Sequence, residues 1–226
     1  MKNAVANRFR NIMIPSLLLT LLAGAGCTTS VRGQVPAYAG PSDVSATRGK
    51  ATAVLAGGCF WGVDAVFKHV KGVEKVVSGY SGGDAATAEY ETVSSGSTGH
   101  AESVKITYDP SQVRFSELLR IFFSVATDPT QLNRQGPDTG PQYRSVIFYT
   151  NDEQKQVAQG YIQQLDKAGV FSRPIVTQVV PFKAFYPAEA YHQNFLERHP
   201  DYPYIVFNDL PKLRALKKEF PEIYRK

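Results

Sequence analysis

One short stretch of the sequence holds the residue types needed for nucleophilic chemistry. Residues 56–62 read Ala-Gly-Gly-Cys-Phe-Trp-Gly and contain the only tryptophan and one of the two cysteines of the chain. A cysteine thiolate is a strong nucleophile, and glycines beside it leave room for another molecule to approach. The stretch therefore predicts a reactive Cys59 with two aromatic side chains fixed next to it. A small buried cysteine that only fills a core turn is the alternative.

The residues on either side of Cys59 indicate how it is positioned. Residues 51–56 form a short apolar run that is typical of a buried strand, and apolar residues recur at helical spacing after the cysteine, at Val63, Val66, Phe67 and Val70. Cys59 is therefore predicted to lie on a strand-to-helix turn. The free amides and positive dipole potential at the start of that helix are expected to stabilise the thiolate over the thiol.

The hydrophobic pattern beyond this turn predicts one α+β domain. Strands are predicted over 73–79, 101–108, 144–149 and 176–180, a helical stripe starts at Phe115, and further helices are predicted over 152–168, 187–198 and 212–220. The first elements follow the order strand, helix, strand, strand, helix, strand, which is that of a split βαβ unit. The expected fold is a two-layer α/β sandwich with a ferredoxin-like core over residues 50–226, including a C-terminal helical extension.

Residues 1–26 have the layout of a secretory signal. A basic start precedes an apolar stretch over 12–23, which is too short to span a bilayer comfortably, and small residues follow. The cysteine after them, Cys27, resembles the acylated first residue of a bacterial lipoprotein, although Gly24 stands where leucine is usual. Ordinary cleavage after Ala25 is the alternative. Both interpretations predict export to the bacterial periplasm or cell envelope, and the first adds a membrane anchor through lipid on Cys27.

The composition after the signal predicts a linker and excludes one class of partner. Residues 27–49 are rich in Ser, Thr, Gly, Pro and Ala without apolar periodicity, which predicts a disordered tether. The net charge of the chain is +5, and subtracting Lys2, Arg8 and Arg10 of the signal segment leaves +2. This balance gives no nucleic-acid footprint.

Five blocks in chain order resemble the A-type peptide methionine sulfoxide reductases. They are the Gly-Cys-Phe-Trp-Gly core within 57–62, Gly-Tyr-Ser-Gly-Gly at 79–83, Gly-His-Ala-Glu at 99–102, the segment 135–145 with Gln-Tyr-Arg-Ser at its end, and Ala-Glu-Ala-Tyr-His-Gln at 188–193. The resemblance runs from about residue 53 to residue 196. It implies an enzyme that reduces methionine S-sulfoxide, free or in oxidised proteins, through a sulfenic acid on Cys59.

The resemblance also implies a role for individual residues around the sulfoxide. Cys59 matches the nucleophile that attacks the sulfoxide sulfur, and Phe60 and Trp61 match the aromatic walls that hold the S-methyl group. Glu102 matches the acid that protonates the sulfoxide oxygen. Such an acid must stay protonated near neutral pH, which burial against aromatic rings would favour.

Other matched residues are implied to assist. Tyr80 and Tyr143 match hydrogen-bond donors to the sulfoxide oxygen, and Asp138 matches a loop acid linked to substrate binding and recycling. His192 and Gln193 match a late block for which we expect a supporting role. No cysteine follows Cys59, whereas many family members carry further cysteines near the C-terminus. We therefore expect recycling by an external thioredoxin-like dithiol reductant. We also expect no bound cofactor or metal.

Other functions fit parts of the pattern less well. A cysteine hydrolase or acyltransferase would need a histidine base, for which His100 and His192 are candidates. The spacing of cysteines and histidines does not give paired zinc ligands, and the glycines around Cys59 do not match a dinucleotide fingerprint. A non-enzymatic surface lipoprotein would fit the tether but gives the Cys-Phe-Trp turn no purpose.

Overall fold

A mixed β-sheet organises the protein. The computed structural model describes residues 35–41, 43 and 49–226. Its strands are β1 Ala51–Gly57, β2 Val73–Ser81, β3 Ala101–Tyr108, β4 Arg134–Gln135, β5 Asp138–Thr139, β6 Ser145–Tyr149, β7 Gln178–Pro181 and β8 Tyr186–Pro187. The strand order in the large sheet is β7-β6-β1-β3-β2-β8, while β4 and β5 pair as a separate hairpin. The central β6-β1-β3-β2 array is antiparallel throughout, which confirms the predicted ferredoxin-like core.

Most of the predicted helices are present, but the short helix at residue 90 was not predicted and the segment 187–198 differs from the prediction. They are α1 Phe60–Lys68, α2 Tyr90–Ser94, α3 Phe115–Ile121, α4 Asp152–Lys167, α5 Phe195–Arg198 and α6 Leu210–Glu219. The single helix predicted over 187–198 is wrong. Strand β8, a 3₁₀ turn Ala190–His192 and α5 occupy this segment, and Asn194 with φ of 55° separates the last two. None of the helices in the described part is long and apolar enough to cross a membrane.

The sheet separates two hydrophobic layers, because alternate residues of each strand face opposite sides. Leu55 of β1 and Val104 of β3 pack into the main core beneath the helices. Val54 of β1 faces the other side, which Phe182 and Phe185 of a late loop help to cover. Since Cys59 and Tyr80 belong to the main core, the chemistry predicted from the sequence lies on the helical side of the sheet.

A segment predicted to be disordered packs against the helices instead. Val35 is buried in the main core, and the Tyr161 hydroxyl of α4 donates to the Pro36 carbonyl at 2.5 Å. The carboxylate of Asp43 accepts hydrogen bonds from the backbone N–H and the hydroxyl of Ser116 in α3, at 2.6 and 3.1 Å. Composition alone indicated a tether up to residue 49, so the packed domain begins earlier than expected. The predicted signal, Cys27 and the rest of the tether lie outside the described residues.

We expect the Asp43→Ala substitution to lower the free energy of unfolding by about 1 to 2 kcal/mol, because α3 loses a capping acceptor near its N-terminus. Denaturant titration of the purified domain measures this change. Asp201→Ala, at an exposed acid, is the matched control and should leave stability nearly unchanged. Equal stability of the two variants would show that the hydrogen bonds of Asp43 to Ser116 add nothing to the stability of the fold.

Candidate active site

The turn that carries Cys59 needs glycine at the position before it. Gly58 has φ of 96°, which is unfavourable for other residues, and a Cβ there would lie 2.5 Å from Cγ of Gln135. The chain then enters α1 with Cys59 at its N-cap position. The prediction that Cys59 lies on a strand-to-helix turn is confirmed. Gln135 also stabilises the loop that contains Thr127, because its side-chain amide donates to the Thr127 hydroxyl at 2.7 Å.

Cys59 opens onto a cavity of about 210 Å³. Six of the residues singled out in the sequence line this cavity, namely Cys59, Phe60, Trp61, Glu102, Asp138 and Tyr143. They come from α1, β3, β5 and the 3₁₀ turn Pro141–Tyr143. Elements far apart in the chain therefore place a thiol, two carboxyl groups and aromatic rings around one small volume.

Glu102 is the buried acid of the cavity. Its side chain points to the helical side of β3 and accepts a hydrogen bond at Oε2 from the backbone N–H of Phe60, at 3.0 Å. Burial is the main cause that raises the pKa of Glu102, to about 8, and the hydrogen bond opposes the shift only in part. The direction of this shift supports the expectation that Glu102 stays protonated near neutral pH.

The ionisation of Cys59 differs from the expectation. Burial, followed by the charges of Glu102 and Asp209, raises the pKa of the Cys59 thiol well above its usual value. The backbone hydrogen bond from Trp61 at the start of α1 lowers the pKa, but it is the weaker effect. A resting thiolate stabilised by the helix N-terminus is therefore wrong, because the loss of water around the sulfur outweighs the helix. The directions of the two pKa shifts favour the protonated forms of both Cys59 and Glu102 in the resting cavity.

One of the two predicted tyrosines lies outside the cavity. Tyr80 lies directly opposite Glu102 in the β2–β3 pairing, but its ring is fully buried and its hydroxyl donates to Glu189 at 2.9 Å. It does not line the cavity. Tyr90 lies there instead, together with the predicted Tyr143. Burial raises the pKa of Tyr90 and of Tyr143, so both remain hydrogen-bond donors.

We expect Tyr90→Phe to reduce turnover about tenfold, because the cavity loses a hydroxyl whose hydrogen bond to an oxygen of the substrate would contribute about 1.4 kcal/mol. Tyr80→Phe is the matched control. It removes a hydroxyl that is bonded to Glu189 outside the cavity, so it should affect stability more than turnover. Steady-state kinetics of the two variants measure the difference, and a larger loss for Tyr80→Phe would return Tyr80 to the reaction.

Trp61 is held by contacts on several sides. Its Nε1 donates to Nδ1 of His192 at 3.1 Å, and its ring stacks on Phe195 with centroids 3.7 Å apart. Tyr202 and Tyr204 meet it edge-on. Burial lowers the pKa of His192, which keeps its imidazole neutral and able to accept this bond. The structure thus gives His192 a contact that supports the cavity wall.

Neither candidate histidine base reaches the cavity. His192 is buried behind Trp61, and His100 has both ring nitrogens in contact with backbone groups, the Gly83 N–H at 3.2 Å and the Asp84 carbonyl at 3.0 Å. Neither residue lines the cavity. The geometry therefore places neither candidate histidine where it could act as the base of the acyl-transfer alternative, because general-base catalysis requires hydrogen-bond reach.

Three lining residues were missed by the sequence reasoning. Tyr90 begins the five-residue helix α2, which no apolar periodicity indicated. Tyr202 and Tyr204 lie beyond residue 196, where the resemblance ends. The Tyr204 hydroxyl donates to the Asp138 carboxylate, so the C-terminal extension closes one side of the cavity. The only sequence signal for Tyr202 and Tyr204 is that two tyrosines stand close together there.

The site and the fold together define a class of enzyme. A buried thiol, a buried carboxyl group with a raised pKa and several tyrosine hydroxyls surround one cavity that no histidine lines. Thiol chemistry that leaves sulfur oxidised fits these groups, because the donors are suited to an oxygen that leaves its original atom. The class is a thiol-dependent oxidoreductase on a ferredoxin-like α+β fold.

Known proteins show which oxidoreductases share this fold. The model of the family described as peptide methionine sulfoxide reductase matches residues 51–223. A peptide methionine sulfoxide reductase of Mesorhizobium japonicum is 63% identical over 182 residues, which cover 80% of this chain and 93% of the relative. One from Synechocystis is 58% identical over 175 residues, which cover 77% and 82%.

Solved structures agree with these relatives. Reduced Mxr1 from Saccharomyces cerevisiae has a TM-score of 0.62 at 33% identity, covering 68% of this chain and 87% of that one. Methionine sulfoxide reductase A of Corynebacterium diphtheriae has a TM-score of 0.58 at 30% identity, covering 74% and 90%. The chain belongs to the peptide methionine sulfoxide reductase family, A type. It is an oxidoreductase that reduces the S-sulfoxide of methionine to methionine.

Proposed function

We propose that Cys59 and Glu102 carry out the reduction together. The observation that supports this most is the raised pKa of Glu102, about 8, in the same cavity as the Cys59 sulfur. A carboxylic acid that is protonated at pH 7 is able to give its proton to the sulfoxide oxygen. The oxygen then becomes a better leaving group, and the sulfoxide sulfur is open to attack by Cys59.

The reaction balances without a cofactor. Attack by Cys59 forms an S–S bond to the substrate sulfur as the substrate S–O bond breaks. The departing hydroxide then adds to the Cys59 sulfur as this S–S bond breaks and releases methionine. The products are methionine and a Cys59 sulfenic acid, and the proton of the thiol restores the carboxyl group of Glu102. The hydroxyls of Tyr90 and Tyr143 donate to the oxygen during this step. Since the thiol ionises only as the acid gives up its proton, the high pKa of resting Cys59 is compatible with attack.

The aromatic walls select the S-methyl group. Phe60 and Trp61 present apolar ring surfaces to the cavity, and sulfur and methyl groups make favourable contacts with aromatic rings. Asp138, held by Tyr204, lies on another side of the cavity and contributes to substrate binding. The substrate is methionine S-sulfoxide, either free or within an oxidised protein.

Recycling needs a thiol from outside the domain. Cys59 is the free cysteine of the described residues, and none follows it in the sequence. A first external thiol attacks the sulfenic acid, which releases water and forms a mixed disulfide with Cys59. A second thiol then restores the Cys59 thiol. A thioredoxin-like dithiol protein supplies both thiols.

A trapping experiment tests this cycle. A thioredoxin-like protein whose second cysteine is changed to serine should remain bound to oxidised Cys59 as a mixed disulfide, one per chain. The same protein with both cysteines replaced is the control. An internal disulfide between Cys27 and Cys59, formed at turnover rates in place of the trapped complex, would contradict an external reductant.

We further propose that the enzyme is exported and anchored by lipid on Cys27. The basic and apolar segment over 1–26, which ends before Cys27, supports this location in the bacterial periplasm or cell envelope. Mass spectrometry of the mature N-terminus tests it. An acylated Cys27 is expected, whereas an unmodified start at Gly26 would show ordinary export.

A further inference from the structure

The side chain of Arg144 joins two segments that carry active-site residues. Its Nη2 donates to the Gly99 carbonyl at 2.9 Å, and its Nη1 donates to the carbonyls of His100 and Pro141 at 3.1 and 2.8 Å. Its Nε also approaches Oε1 of Gln178 at 3.4 Å. The planar guanidinium group is thus bound to three backbone carbonyls from two separate parts of the chain.

Those carbonyls belong to residues only a few positions along the chain from Glu102 and Tyr143. Gly99 and His100 immediately precede β3, in which Glu102 is the second residue. Pro141 begins the 3₁₀ turn that ends at Tyr143, next to Arg144 itself. The hydrogen bonds therefore fix the start of the strand that carries the acid relative to the turn that carries a phenol donor.

The absence of a side chain at Gly82 leaves room for the contact between Arg144 and the Gly99 carbonyl. Gly82 has φ of 103°, and a Cβ at that position would lie 3.0 Å from Nη2 of Arg144 and 2.9 Å from the Gly99 carbonyl oxygen. Any larger residue would press on the guanidinium and its acceptor. The β2–β3 connection thus leaves space where the guanidinium and the Gly99 carbonyl meet.

We propose that Arg144 is a positioning residue that sets the distance between Glu102 and Tyr143. It does not line the cavity, and it acts on the reaction only through the two segments that it joins. Because the acid and the phenol serve the same oxygen, a small change in their separation weakens proton transfer and leaves the aromatic walls around the substrate intact. This inference depends on the roles proposed for Glu102 and Tyr143.

Substitution of Arg144 by lysine tests whether the guanidinium hydrogen bonds, rather than the positive charge, are required. Arg144→Lys keeps the positive charge and most of the apolar stem, but one ammonium group lacks the planar fork that reaches three carbonyls. We expect kcat to fall about tenfold or more, with KM nearly unchanged, because the ground-state contacts to the substrate remain. Arg144→Ala should lose about 10²-fold in kcat, and added guanidinium ion, below concentrations that unfold the enzyme, should restore part of it. Arg214→Ala, at an exposed arginine of α6, is the matched control.

A double-mutant cycle separates positioning from general loss of stability. If Arg144 acts through Glu102, then Arg144→Lys should reduce kcat much less in the Glu102→Gln background than in the wild-type enzyme. Circular dichroism and unfolding curves establish that each variant is folded, and Arg144→Lys decides the question if Arg144→Ala does not fold. Full kcat in Arg144→Lys, or equal losses in both backgrounds, would overturn the proposal. A Glu102→Gln enzyme with normal activity would instead refute the proposed function.

Discussion

Cys59→Ser should abolish methionine sulfoxide reduction, with no turnover above the uncatalysed rate. The serine hydroxyl has nearly the shape of the thiol but is a far weaker nucleophile, and it does not form the sulfenic acid that stores the oxygen. Since Cys59 is buried among Phe60, Trp61 and Glu102, the cavity should otherwise persist. Methionine release, followed by chromatography with an excess of dithiol, measures the loss.

The fold of the Cys59→Ser enzyme serves as the control. Burying a hydroxyl costs about 1 to 3 kcal/mol, so the variant should unfold a few degrees earlier and still bind substrate at working temperature. A folded Cys59→Ser enzyme that retains normal turnover would assign the reaction to another group.

Glu102→Gln should slow the sulfoxide step by about 10²-fold or more. The amide keeps the shape of the side chain and a hydrogen-bond donor, but it has no acidic proton to give to the departing oxygen. The effect should appear in a single turnover, as slower methionine release before any reductant acts. If only later, reductant-dependent turnovers were slower, Glu102 would belong to recycling.

The pH profile provides a second measurement on Glu102. Its pKa is raised to about 8, chiefly by burial, so the protonated form dominates below pH 8 and is lost above it. Because the protonated form is the one that reacts, the single-turnover rate should fall as the pH rises through about 8. The fall in rate near pH 8 should be absent in Glu102→Gln, because the amide at residue 102 does not titrate.

The hydrophobic pattern predicted the core of the fold, and the motif blocks predicted most of the residues that line the cavity. Apolar runs and helical spacing gave the strand, the turn and α1, and the motif blocks gave Glu102 and Tyr143. The family resemblance implied a donor role for Tyr80, whereas the folded structure directs its hydroxyl to Glu189, which is far away in the sequence. Tyr90 starts a helix too short to leave a periodic pattern.

The burial of individual side chains is the property that is hardest to predict from the sequence. The helix N-terminus beside Cys59 was visible in the sequence, whereas the loss of water that raises the pKa of the thiol depends on residues from the whole chain, including Asp209 near the C-terminus. The packing of Val35 and Asp43 is a similar case. Their composition is that of a linker, and only the surfaces of α3 and α4 make them part of the domain.

The most direct test of the account is a reductant-free reaction of the mature enzyme with methionine S-sulfoxide. One oxidisable thiol in the domain allows about one methionine per chain, accompanied by a mass increase of one oxygen on the Cys59 peptide and by labelling with a sulfenic-acid probe. No internal disulfide should form. Release of methionine beyond one per chain, or release without oxidation of Cys59, would contradict a cycle in which Cys59 takes the oxygen.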